Sequence, residues 1–101
     1  MEIEQNPNDS LNEKADFQVN PHYRLQWEEA QQCHVLLYPE GLVRLSETAT
    51  EILRRCVEPI ALPTLVEQLC LSFPDAPAEV IDQDVREFVA DARQQGWLVD
   101  V

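Results

Sequence analysis

The spacing of apolar residues changes once along this chain, and this change constrains the fold more than any other feature. Up to Leu45 the apolar residues fall in short runs rich in strand formers, at 23–27, 33–38 and 42–45. After Leu45 they recur every three or four residues, as they do on one face of a helix. The pattern predicts a small sheet followed by helices.

Turn signals divide the first half into an antiparallel meander of three strands. The polar segment 28–32 has the length of a hairpin loop. In the segment 38–41, Pro39 presets φ for the second turn position, and Gly41 accepts a backbone geometry that other residues avoid. The third strand ends the meander, so one row of its N–H and C=O groups is predicted to lack a partner.

Two helices are predicted next from their caps and apolar stripes. Ser46 is suited to cap the first, which Pro59 closes, and Thr64 and Glu67 have capping-box spacing for the second. The stripes comprise Ala49, Ile52, Leu53, Cys56 and Val57 in the first helix, and Leu65, Val66, Leu69, Cys70 and Phe73 in the second. Both helices are expected to bury these faces.

A third helix is predicted from near Pro77 to Gln95, with Gly96 as its left-handed cap. Its stripe comprises Ile81, Val85, Phe88, Val89 and Ala92, and the apolar residues 97–99 are expected to fold back onto the core. The fold class is therefore α+β, resembling a winged helix-turn-helix with a three-stranded antiparallel sheet followed by three helices.

The length of 101 residues fits one domain. Residues 1–16 are polar and acidic and are predicted to form a disordered tail, which leaves residues 17–101 as the domain. There is no signal-peptide pattern and no apolar run long enough to cross a bilayer, and three widely spaced cysteines do not suggest a disulfide framework. A cytoplasmic protein is expected.

The formal charge of −12 argues against two classes of partner. The excess of acids is spread evenly along the chain, so the seven Lys and Arg cannot form a basic face. Nucleic acids and anionic membranes require such a face, so neither is an expected partner.

No catalytic or metal-binding constellation is recognisable. Cys33 and His34 are adjacent, but successive strand residues point to opposite faces, and Cys56 and Cys70 fall on helical apolar stripes. No pair of His or Cys has the spacing of zinc ligands, and the two glycines are too far apart for a phosphate loop. The chain is expected not to be an enzyme and to need no cofactor or metal.

A surface that binds an extended peptide is the remaining possibility. If the third helix lies beside the open strand, Val85, Phe88, Val89 and Ala92 would floor a groove in which a guest strand pairs with the edge. The alternative is that these four side chains only fill the core. Replacing Val43 with proline is expected to remove one donor from this edge.

Several segments resemble the pyrroloquinoline quinone (PQQ) biosynthesis protein D family. They are 23–31, 34–41, Leu45-Ser46 with Ala49 and 51–53, Asp84-Val85 with Phe88, and 96–98. The resemblance covers roughly residues 19–101, and the run Leu-Leu-Tyr-Pro-Glu-Gly at 36–41 is its most specific part.

The resemblance implies a peptide chaperone that binds the PQQ precursor peptide and presents it to a radical S-adenosylmethionine (SAM) enzyme, which cross-links a Glu and a Tyr of that peptide. It also implies that the peptide adds a strand beside the third strand and third helix. The implied peptide-binding residues are Leu42, Val43, Arg44, Leu45, Val85, Phe88, Val89 and Ala92. A monomer or weak homodimer is expected.

Two other functions stay open. A winged-helix transcriptional regulator would suit the fold, and a self-associating structural domain would use the open edge to pair with its own copy. Binding to DNA at low salt would favour the first of these, and light scattering would reveal the second.

Overall fold

A computed structural model describes residues 15–101 of the chain. Apart from Ala15 and Asp16, the predicted tail lies outside the described residues. In chain order the elements are β1 (Asp16–Val19), β2 (Arg24–Glu28), β3 (Cys33–Tyr38), β4 (Gly41–Arg44), α1 (Glu47–Arg55), β5 (Ile60–Ala61), α2 (Leu62–Ser72), α3 (Ala78–Gln95) and β6 (Leu98–Asp100). The predicted order, with a three-stranded meander before three helices, is confirmed.

The meander forms an antiparallel sheet in the order β2-β3-β4. Leu25, Leu36 and Val43 lie opposite one another across the three strands and therefore share a face. This inner face packs against the core, where Leu36 is fully buried. Tyr38 pairs with Gly41, so the predicted tight turn is confirmed.

Helix α1 is capped as predicted. Ser46 accepts a hydrogen bond from the backbone N–H of Ala49 at 3.0 Å through its side-chain hydroxyl. Val57, which was predicted on the buried stripe, is instead 56% exposed. The helix ends at Arg55, so Val57 lies beyond its last turn and no longer follows the helical period.

The predicted start of α2 at Thr64 is wrong, because the helix begins at Leu62 and its cap residue, Ala61, makes no side-chain capping bond. Ala61 instead belongs to β5, which pairs with β1. Pro63 then occupies the first helical turn, where the missing N–H costs no hydrogen bond. Tertiary pairing therefore decides where this helix begins.

A second sheet, in the order β5-β1-β6, was not predicted. Gly96 ends α3 with a left-handed φ of 84°, as expected, and the reversed chain then pairs β6 with β1. Phe17 of β1 is 1% exposed, and the Arg93 guanidinium lies 5.0 Å from its ring centroid. The N-terminal strand is thus an integral part of the domain.

One apolar core joins both sheets to the three helices. Its largest fully buried side chains are Phe17, Leu36, Ile52, Leu53, Leu65, Leu69 and Leu98. Within residues 15–101, no helix is long and apolar enough to cross a membrane.

Cys56 belongs to this core and makes no disulfide. Burial raises the pKa of its thiol to about 12, from an ordinary value of 9.0, because the apolar surroundings disfavour the thiolate. The thiolate is the nucleophilic form, so Cys56 is a packing residue, as predicted.

Replacing Phe17 with alanine is expected to lower the free energy of unfolding by about 3–5 kcal/mol, because it leaves a cavity in the core. Gln18→Ala in the same strand is the control and should cost less than about 0.5 kcal/mol. Chemical denaturation measures both. Equal effects of the two changes would show that β1 is peripheral to the domain.

Stability should also fall at high pH in a way that depends on Cys56. The pKa of the Cys56 thiol is higher in the folded than in the unfolded state. Its contribution to the free energy of unfolding is therefore complete below pH 9 and decreases as the pH rises toward 12. The slope should approach about 1.4 kcal/mol per pH unit. Denaturation at several pH values, with Cys56→Ala as the reference, measures it, and parallel curves for the two proteins would contradict the prediction.

Candidate functional site

Strand β4 lies at the edge of its sheet and pairs with β3 alone among the described strands. The N–H of Leu45 donates to the carbonyl of His34 with an N···O distance of 3.0 Å, so the backbone at 45 faces β3. Backbone directions alternate along an antiparallel strand, so Val43 also faces β3, whereas Leu42 and Arg44 direct their N–H and C=O groups outward. The open row predicted from the sequence is therefore present at Leu42 and Arg44.

This register corrects the expected effect of a proline at Val43. The N–H of Val43 points toward Leu36 in β3, so proline there would disrupt the native sheet and not the open edge. The sequence could not reveal this, because alternation along a strand fixes which residues share a direction but not which set faces outward. A proline at Arg44 removes an outward donor instead.

The four predicted strand residues differ in accessibility. Leu42 is 45% exposed and lies opposite Leu37, on the face of the sheet opposite to that of Val43. Arg44 is exposed and donates to the side-chain oxygen of Gln31 at 3.1 Å. Val43 packs against the core and Leu45 is buried within it. Leu42 and Arg44 therefore provide the accessible part of the strand.

The four predicted helix residues also differ. Val85, Val89 and Ala92 are no more than 2% exposed and belong to the same core cluster as Leu36. Phe88 is only partly buried, and its ring centroid lies 6.3 Å from that of Trp97. Three of these side chains are therefore buried in the core, and Phe88 is the one that is partly accessible. Peptide contact at these positions remains a prediction.

A pocket where the three helices meet was missed by the sequence reasoning. It has a volume of about 170 Å³ and is lined mainly by apolar groups of α2 and α3, with Thr48 of α1 at its wall. Its lining includes Leu69, Phe73, Val80, Asp84 and Val85. Val80 is 47% exposed. The sequence did contain one indication of this pocket, because Val80 is an apolar residue that lies outside the predicted apolar stripe of α3.

The opposite edge of the sheet, β2, is also unpaired among the described strands. The backbone of Leu36 faces β4, so Val35 and Leu37 face β2, and the outward groups of β2 belong to Leu25 and Trp27. Trp27 donates through its indole N–H to a side-chain oxygen of Glu29 at 3.0 Å. This second open edge was not predicted from the sequence; the predicted self-association concerns β4 and remains a prediction.

Nothing in the described part of the chain is arranged for metal binding, since residues 15–101 contain no group of three or more His, Cys, Asp or Glu side chains placed to hold an ion. His34 makes an edge-on contact with the Trp27 ring, with centroids 5.3 Å apart. Cys33 is the residue before His34 in β3. The site therefore consists of open backbone groups beside apolar surface, an arrangement suited to holding an extended chain.

Comparisons with known proteins identify the relatives of this chain. A sequence model of coenzyme PQQ synthesis protein D (PqqD) matches residues 33–98. A PqqA binding protein of Acinetobacter baylyi is 46% identical over 79 residues, which cover 78% of each chain. A PqqA binding protein of Methylococcus capsulatus is 39% identical over 92 residues, covering 91% of this chain and 96% of its own.

The fold is similar to a solved structure, that of the PqqD truncation of Methylobacterium extorquens PqqCD. The TM-score is 0.70 at 23% identity, and the match covers 86% of this chain and 92% of the other. That protein is described as a stand-alone recognition element for ribosomally synthesised and post-translationally modified peptides. The sequence matches carry the assignment, and the likeness in fold agrees with them: the chain belongs to the coenzyme PQQ synthesis protein D family.

Proposed function

We propose that this chain is a peptide chaperone of PQQ biosynthesis, which binds the precursor peptide as an added strand on β4 and presents it to a radical SAM enzyme for cross-linking of a Glu and a Tyr. The chain itself performs no reaction, and the cofactor chemistry belongs to the enzyme. The interaction is proposed to occur in the cytoplasm.

The observation that carries this proposal is the outward backbone of Leu42 and Arg44. Each residue offers one donor and one acceptor to a guest strand, and backbone pairing does not depend on the guest sequence. Such an edge suits a peptide that must be held in extended form. Selectivity then depends on the side-chain surfaces beside the edge.

Relatives support the identity of the guest. The proteins of Acinetobacter baylyi and Methylococcus capsulatus are both named for binding PqqA, and the alignments with them span more than three quarters of this chain. The net charge of −12 further favours a peptide over a nucleic acid. We extend peptide binding to this chain and place it at Leu42, Val43, Arg44 and Leu45, with Phe88 accessible and Val85, Val89 and Ala92 beneath it.

Addition of precursor peptide to isotopically labelled protein should shift the amide signals of Leu42 and Arg44 in NMR spectra. Arg44→Pro should weaken binding roughly tenfold, because one hydrogen bond contributes about 0.5–1.5 kcal/mol net and the proline ring obstructs the guest. Calorimetry measures the affinity.

Arg44→Ala is the matched control, because it removes the same charge and the same contact with Gln31 but keeps the backbone donor. We expect it to change the affinity by no more than about twofold. Circular dichroism must show that both variants are folded. Equal affinities of the two variants, or unmoved amide signals at 42 and 44, would rule out strand addition at β4.

Presentation is tested separately with the radical SAM enzyme and the precursor peptide. Wild-type protein and Arg44→Ala should increase the yield of the Glu–Tyr cross-linked peptide, whereas Arg44→Pro should have little effect at the same concentration, because it binds the peptide poorly. Mass spectrometry measures the yield. If Arg44→Pro stimulates cross-linking as well as Arg44→Ala does, presentation does not depend on the β4 edge.

A further inference from the structure

We propose that the pocket between the three helices receives one apolar side chain of the guest peptide, either a branched aliphatic chain or a single ring, carried next to a lysine or arginine. This inference rests on the proposed function and adds a specificity site to it. Strand pairing would hold the guest backbone, and the pocket would select among peptides.

The size and lining of the pocket define its occupant. Its volume of about 170 Å³ exceeds that of an engineered apolar cavity of about 150 Å³ that takes up benzene. Leu69 and Val85 are almost fully buried and form its interior, whereas Val80 is accessible at its mouth. A Leu, Ile or Phe side chain therefore fits.

The pocket is connected to the open strand through the chain itself. Thr48, which forms part of the wall, lies in the first turn of α1, and Arg44 at the end of β4 precedes it by four residues. Ser46 between them is held by its capping bond to Ala49. This short link keeps Thr48 of the pocket wall within four residues of the outward groups of Arg44, a connection on which the proposal depends.

The charged residues near the pocket predict which kind of residue lies next to the apolar anchor of the guest peptide. Asp84 lines the pocket, is exposed and makes no ion pair within residues 15–101. Glu47 is exposed beside Thr48, and the whole chain carries a charge of −12. A guest with a Lys or Arg next to its anchor residue complements this surface, whereas an acidic neighbour would be repelled.

Val80→Asp is the test variant, with Val57→Asp as the matched control. Both place one carboxylate on an exposed valine, and Val57 lines none of this pocket. Asp at position 80 also lies in the first turn of α3, where the helix dipole favours it, so the fold is retained. Calorimetry with the precursor peptide should show a loss of tenfold or more in affinity for Val80→Asp and about twofold or less for Val57→Asp.

An alanine scan of the apolar residues of the precursor peptide identifies the anchor. One alanine substitution in the peptide should weaken binding to the wild-type protein strongly. The same substitution should weaken binding to the Val80→Asp protein only a little further, since both changes remove the same contact. Asp84→Asn should weaken binding about twofold to threefold at low salt, and high salt should remove the difference.

The results separate this inference from the proposed function. If Val80→Asp and Val57→Asp bind equally, or if no precursor residue couples to Val80, the pocket is not an anchor site, although the loss in Arg44→Pro would still support strand addition. If neither Val80→Asp nor Arg44→Pro weakens binding, both proposals fail.

Discussion

The proposed activity of this protein depends on the alternating direction of the backbone N–H and C=O groups along the short strand β4. Val43 and Leu45 turn their peptide groups toward β3 and so hold β4 in its sheet. Leu42 and Arg44 turn theirs outward. In the proposed mechanism the strand therefore both completes the fold and offers a template for another chain, and a substitution affects one role or the other according to its place in the alternation.

The core explains how so small a domain keeps such an edge open. Leu36 and Leu45 are buried with Val85 and Val89 in a single cluster, and the second sheet adds Phe17 to it. Stability therefore comes from apolar burial, which does not require the outer row of β4 to be paired. The exposed edge is short and contains a charged residue, features that limit unwanted pairing in natural proteins.

The proposed mechanism combines two kinds of recognition. Backbone groups offer affinity without sequence preference, whereas the pocket near Thr48 and Val80 is of limited volume and has Asp84 in its lining. In this mechanism, β4 recognises the extended backbone of the guest peptide, and the pocket between the helices selects one of its side chains.

The sequence alone determined the local elements, including the Pro39 turn, the Ser46 cap and the Gly96 terminus, because each depends on interactions between near neighbours. It also determined the family and the position of the edge strand. Only the tertiary structure decided the sheet of β1, β5 and β6, because these strands are too short to show a period. It also decided the start of α2 at Leu62, directly after β5 and earlier than predicted. It likewise decided which amides of β4 face outward and where the pocket forms, because both depend on how distant segments pack against each other.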